Sequence, residues 1–147
     1  MVAAAALALG GCRSGGRPAT PAPAGPVTLV EGIPNAATVQ LPDTSQRLLD
    51  GAALGTVLAP AEPLAAWKTI TDAGDRYGLD APSYVVAFDG PSGRVVIVLG
   101  GPTFDGEGSY ARRCGDDRIH LVTRTFVGAV ARIAAEGRPA AGSRLGC

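Results

Sequence analysis

A single histidine, His120, stands in the 147-residue chain, and this excludes any metal site built from several imidazoles. Basic side chains are nowhere concentrated. Thirteen Lys and Arg balance thirteen Asp and Glu, Lys68 is the sole lysine, and only Arg112 and Arg113 adjoin. Binding along a phosphate backbone needs a dense positive surface, so nucleic acid is not an expected partner. Aromatics are few: Trp67, three Tyr and three Phe. The core must therefore come from Val, Ile, Leu and Ala. The Gly-x-Ser-x-Gly turn that arms a serine nucleophile is missing. No apolar run approaches the ~20 residues needed to span a bilayer as a helix. Neither a cofactor motif nor an internal repeat is present.

The chain is rich in small and apolar residues, at 46% hydrophobic with 21 Gly and 12 Pro. Residues 2–11 read Val-Ala-Ala-Ala-Ala-Leu-Ala-Leu-Gly-Gly and run into Cys12. This is too short to cross a membrane and suits the apolar part of a signal peptide. Leu9-Gly10-Gly11-Cys12 resembles the lipobox of bacterial lipoproteins. The resemblance implies that Cys12 is acylated on sulfur, that the leader is cut before it, and that Cys12 becomes the mature N-terminus. Two acyl chains anchor stably where one is marginal. No Lys or Arg precedes the apolar run, a departure from the pattern that a start upstream of Met1 would explain. Residues 13–26 follow with no apolar period and a wealth of Pro and Gly, a composition that buries too little to offset its chain entropy. The expected organisation is a lipoprotein signal peptide at 1–11, lipidated Cys12 with a tether to 26, and one exported domain at 27–147. The expected address is the cell membrane, with the domain lipid-anchored on the extracytoplasmic side of the cell envelope.

Within the domain, Val27–Val30, Thr38–Leu41 and Leu54–Ala59 read as short strands. Asp43 and Gln46 have capping-box spacing for a short helix ending at Gly51. Glu62–Tyr77 reads as a helix, with Pro63 in its first turn and Leu64, Trp67 and Ile70 on one face. Ser83–Phe88 and Arg94–Leu99 are apolar without alternation, as expected of central strands buried on both faces, and Asp89-Gly90-Pro91-Ser92-Gly93 joins them as a hairpin. Residues 100–115 read as a glycine-rich loop. Asp117–Glu136 reads as a second helix, capped by Asp116 or Asp117 and striped by Ile119, Val122, Phe126, Val130 and Ile133. The expected fold class is α+β: an antiparallel sheet of four or five strands packed against two main helices.

Cys114 and Cys147 are expected to form a disulfide. A helix over Asp117–Glu136 is about 30 Å long. The eleven residues after Glu136 extend about 36 Å, enough to run back along it. An exported compartment permits the bond.

Candidates for chemistry are sparse. His120 would sit solvated in the first turn of the second helix. Asp72 with Asp75, and Asp116 with Asp117, read as a solvated helix face and as helix caps. Asp105, Glu107, Ser109 and Asp116 have something of a calcium-loop spacing, but Tyr110 replaces the required glycine and Arg112 and Arg113 oppose a cation, so no metal is expected. The 100–113 loop is the most unusual stretch. Long loops often carry function, and Thr103, Phe104, Asp105, Glu107 and Tyr110 are its candidate binding residues. The first expectation is a membrane-anchored lipoprotein with a non-catalytic binding domain, presenting this loop to a peptide, a cell-wall component or another exported protein. The alternative is a small exported hydrolase using acidic residues and His120, which would require these groups to converge on one cleft.

Overall fold

The run Tyr-Val-Val-Ala-Phe and the run Val-Val-Ile-Val-Leu pair antiparallel across the Pro91-Ser92 turn and form the middle of a large sheet. The structure, a computed structural model, describes residues 26–71 and 77–147. The leader, Cys12, nearly all of the tether, and Asp72 and Asp75 lie outside the described residues.

Among the described residues there are ten strands: β1 (Val27–Thr28), β2 (Ala36–Gln40), β3 (Gln46–Asp50), β4 (Ala65–Ala66), β5 (Lys68–Ile70), β6 (Tyr84–Gly90), β7 (Gly93–Pro102), β8 (Gly108–Arg113), β9 (Ile119–Thr123) and β10 (Arg138–Ala140). Two helices join them, α1 (Gly51–Leu58) and α2 (Arg124–Glu136). Eight strands form one fully antiparallel sheet in the order β10-β3-β2-β6-β7-β8-β9-β5, and β1 with β4 forms a separate two-stranded ribbon. Both borders of the large sheet, β10 and β5, are only three residues long.

This corrects the expected architecture of four or five strands against two main helices. The sheet has eight strands, and the helices are short and lie elsewhere. The segment read as a helix over Glu62–Tyr77 holds β4 and β5 instead. Leu64 and Ala66 are buried while Trp67, between β4 and β5, is 41% exposed, so burial does not follow the expected helical stripe. The segment read as a helix from Asp117 begins as β9, and α2 starts only at Arg124. Thr123 caps it, accepting the Phe126 N–H at 3.2 Å. The expected strand at Leu54–Ala59 is helical and belongs to α1 with the turn after it. The expected capping box at Asp43 is the β2–β3 turn, where Asp43 accepts the Ser45 N–H. The glycine-rich loop is largely the paired hairpin of β7 and β8.

One face of the sheet carries both helices. Val39, Leu49, Val86, Phe88, Ile97, Leu99, Ala111 and Val122 project from it into a core completed by Leu54 and Leu58 of α1 and by Phe126, Ala129, Val130 and Ile133 of α2. The α2 residues recur at three- and four-residue steps, the stripe that a helix buries. Phe88 and Phe126 meet edge to face, with centroids 6.4 Å apart. Ala66 of β4, with Leu29 and Leu64 beside the β1–β4 ribbon, adds to this core.

The opposite face is crossed by the C-terminal tail. After β10 the chain leaves the sheet border. The side-chain amide of Gln46 on β3 donates to the Ser143 carbonyl at 2.7 Å, and the Leu145 N–H donates to the side-chain carbonyl of Gln40 on β2 at 2.7 Å. The tail ends in a disulfide between Cys147 and Cys114, whose Cα atoms are 5.2 Å apart. The expected bond is present, but it is reached across the sheet and not back along a helix.

Candidate functional site

The hairpin joining β7 to β8 is tightly held. Thr103 is buried at its base, where its Oγ1 accepts the Gly108 N–H at 3.0 Å and donates to Oδ1 of Asp105 at 2.6 Å. The same Asp105 oxygen accepts the Glu107 N–H at 3.0 Å. The Thr103 hydroxyl first, and the Glu107 amide second, hold the Asp105 carboxyl below its ordinary range. Gly106 turns the tip with φ of +73°, a value open to glycine at no steric cost. The Glu107 carbonyl accepts the Arg124 N–H at 3.0 Å, so the tip is tied to the first residue of α2.

This scaffold presents Phe104 fully to solvent. An isolated exposed apolar residue is ordinary, but here the ring stands on a turn whose neighbours are locked by a network of hydrogen bonds. Beside the tip lies an open cleft of about 520 Å³ lined by Trp67, Asp105, Glu107, Thr123, Arg124 and Thr125. Arg124 also borders a second, adjoining cleft of about 400 Å³ floored by Val127, Gly128 and Ala131 of α2. Among the described residues no ion pair engages the Arg124 guanidinium or the Glu107 carboxylate.

Of the five candidate loop residues, the structure brings four to this tip. Thr103 and Asp105 build it, and Phe104 and Glu107 face outward. Tyr110 does not join them. It lies on β8 with its ring 4.5 Å from that of Tyr77, on the face away from the helices, since the adjacent Ala111 enters the core. Trp67, Thr123, Arg124 and Thr125 were not expected here. Trp67 reaches the site because its N–H bonds the Leu121 carbonyl at 3.0 Å between β4 and β5, which sets the indole at the sheet margin.

His120 lies elsewhere and is buried, contrary to the expected solvated position. It occupies the second position of β9 at 0% exposure. Its Nδ1 is 3.0 Å from Oγ1 of Thr69 on β5, and its Nε2 is 2.9 Å from Oδ2 of Asp116. Asp116 also accepts from the Arg118 backbone and guanidinium at 2.9–3.3 Å, so it caps a turn before β9 rather than a helix. The Arg118 guanidinium, ahead of the His120 contact, holds the Asp116 carboxyl far below the usual carboxylate range. Both imidazole nitrogens are thus occupied inside the fold, and one carboxylate touches the ring. The residues with calcium-loop spacing are also apart: β8 separates Asp105 and Glu107 from Asp116. Among the described residues no cluster of three metal-ligating side chains occurs, and no helix is long and apolar enough to cross a membrane.

A further opening, of about 630 Å³, lies between the C-terminal tail and the far face of the sheet, with Thr38, Leu48 and Val96 among its walls. Asp89 and Arg94 in its walls satisfy one another at 2.7 and 3.0 Å, and the exposed Arg144 of the tail also lines it. Comparison of the chain with protein-family models, with curated proteins and with solved structures finds no match to any of them.

Proposed function

We infer that this chain is an exported, lipid-anchored binding protein that engages its ligand through the β7–β8 tip and the adjoining Trp67 cleft. The observation that carries this reading is Phe104, fully exposed on a turn fixed by Thr103 and Asp105. A rigid exposed aromatic loses little conformational entropy on contact, which is why such residues anchor interfaces. The lipobox-like Leu9-Gly10-Gly11-Cys12 supports the anchored address. The Cys114–Cys147 disulfide supports an oxidising compartment, where such bonds persist. The hydrolase alternative requires an accessible His120 beside two carboxylates, whereas the ring is sealed in the fold and meets one carboxylate, that of Asp116.

The test has two arms. Mass spectrometry of the N-terminal peptide from membranes should find diacylglyceryl on Cys12, and Cys12→Ala should release the protein from the membrane fraction. A photo-cross-linking phenylalanine at position 104 should label a defined molecule in intact cells, while the same probe at Ile33, which is 65% exposed and lies beside Gly90 at the other end of β7, should not. Recovery of the native chain from cytosol with a free Cys12 thiol sinks the address. Equal labelling from both positions sinks the binding surface.

A further inference from the structure

The groups around Trp67 restrict the chemistry of what the cleft can hold. Its carboxylates, on Asp105 and Glu107, only accept hydrogen bonds when ionised, and its guanidinium, on Arg124, only donates. Oδ1 of Asp105 is already engaged by Thr103 and the Glu107 amide, so Oδ2 remains for a ligand. The hydroxyls of Thr123 and Thr125 add two groups that give or accept. One wall is the Trp67 indole, 41% exposed.

A ligand that is purely apolar, or that carries one sign of charge, meets an obstacle here. A purely apolar ligand would strip water from three charged groups and return no hydrogen bonds. An anion would face Asp105 and Glu107, and a cation would face Arg124. A neutral polyhydroxyl ring meets neither repulsion. Each of its hydroxyls donates to a carboxylate or accepts from a guanidinium, and the C–H face of the ring lies against the indole plane. Charge-assisted bonds of this kind are stronger than neutral ones, and the flat apolar ring supplies the remaining contact area.

We propose, resting on the binding function inferred above, that the Trp67 cleft is a saccharide subsite: the indole carries the face of one neutral sugar ring, and Asp105, Glu107 and Arg124 hold its hydroxyls. The occupant is a glycan chain, for which an open cleft leaves room at both ends of the bound ring. Phe104 stands at the neighbouring tip as a second apolar surface for the same chain.

Trp67 is the only tryptophan in the sequence, so intrinsic emission reports on this cleft alone. The full-length chain is titrated with N-acetylchitohexaose, cellohexaose and maltohexaose, and emission and calorimetric heat are followed. At least one sugar should shift the emission saturably. Trp67→Ala, read by calorimetry, should weaken that binding by about tenfold or more, the worth of an aromatic face. Trp67→Tyr should retain most of it. Glu107→Gln and Arg124→Gln are solvent-facing changes that should weaken binding while leaving the denaturation midpoint in place, so the test survives even if Trp67→Ala fails to fold. Absence of a saturable response to all three sugars overturns the proposal, as does binding that these variants leave unchanged. If the sugars fail while position 104 still cross-links a peptide or protein, the saccharide assignment falls and the binding function stands. If both fail, both fall.

Discussion

The backbone N–H of Leu145 donates a 2.7 Å hydrogen bond to Oε1 of Gln40, a residue 105 positions earlier in the chain. The same glutamine oxygen lies 3.4 Å from Nε2 of Gln46, which in turn donates to the Ser143 carbonyl. Two buried side-chain amides therefore read the backbone of the tail as a neighbouring strand would. A polar pair of this kind is tolerable on a buried face because every member is satisfied, and among the described residues no buried side-chain polar atom lacks a partner.

Removing the clasp should loosen this tail. Cys114→Ser with Cys147→Ser opens a loop of 33 residues, which costs about 4 kcal/mol by loop-closure entropy. The urea midpoint should fall accordingly, and the amide of Leu145 should exchange with deuterium far faster than those of β6 and β7. Unchanged protection at Leu145 would show that the two glutamines suffice without the bond.

His120 is expected to be structural. His120→Leu leaves the Thr69 hydroxyl without its partner and takes from Asp116 its inner contact. The expected loss is about 2–3 kcal/mol in urea denaturation, within the range for a disrupted buried polar network. A variant of full stability would mean that this cluster contributes nothing to folding.

Asp116 gives the fold an acid-sensitive element. Its carboxyl is held low in the native state by Arg118, so its contribution to stability is complete above the unfolded-state carboxylate pKa of about 4 and is lost as pH falls through that value toward the lower native one. Asp116→Asn should lower stability at neutral pH and flatten the decline seen from about pH 5 downward. Thermal midpoints measured across that range decide it, and parallel curves for the two proteins would refute it.

Where the sequence was legible, the reason is length. The paired runs Tyr84–Phe88 and Arg94–Leu99 are long, β-branched and separated by an unmistakable turn, and they form the centre of the sheet as expected. The misread segments are those in which a helical period arises by coincidence. Ile119, Val122 and Phe126 are spaced like a helix stripe, yet four consecutive buried residues at Ile119–Val122 satisfy any period, and the stripe simply continues from β9 into α2. Thr123, a good N-cap three residues before Phe126, marks the true start. Leu64, Trp67 and Ile70 mimic a helix because β4 and β5 are too short to display alternation. The cleft was illegible for a related reason: Trp67 and Arg124 meet only through the long-range pairing of β5 with β9.

Glycine at 108 is a requirement of that pairing. A Cβ there would overlap the Val122 carbonyl on β9. Gly108→Ala should therefore force β8 away from β9, cost more than the ~1 kcal/mol typical of a point substitution, and degrade binding at the tip. Phe104→Ser touches nothing in the fold and should change stability by no more than about 0.5 kcal/mol, while abolishing contact at the hairpin. Comparing the two by denaturation and by cross-linking separates the scaffold of the site from its working surface.

A broad sheet normally offers its outermost strands as templates for pairing between molecules. Here the two borders are Arg138-Pro139-Ala140 and Lys68-Thr69-Ile70. One has a ring in place of a donor and the other begins with a solvated ammonium stem, and neither is long enough to register a partner. Among the described residues, copies crowded together at high local density would find at the borders of the large sheet no long edge on which to extend it, so its eight strands form a self-terminating unit.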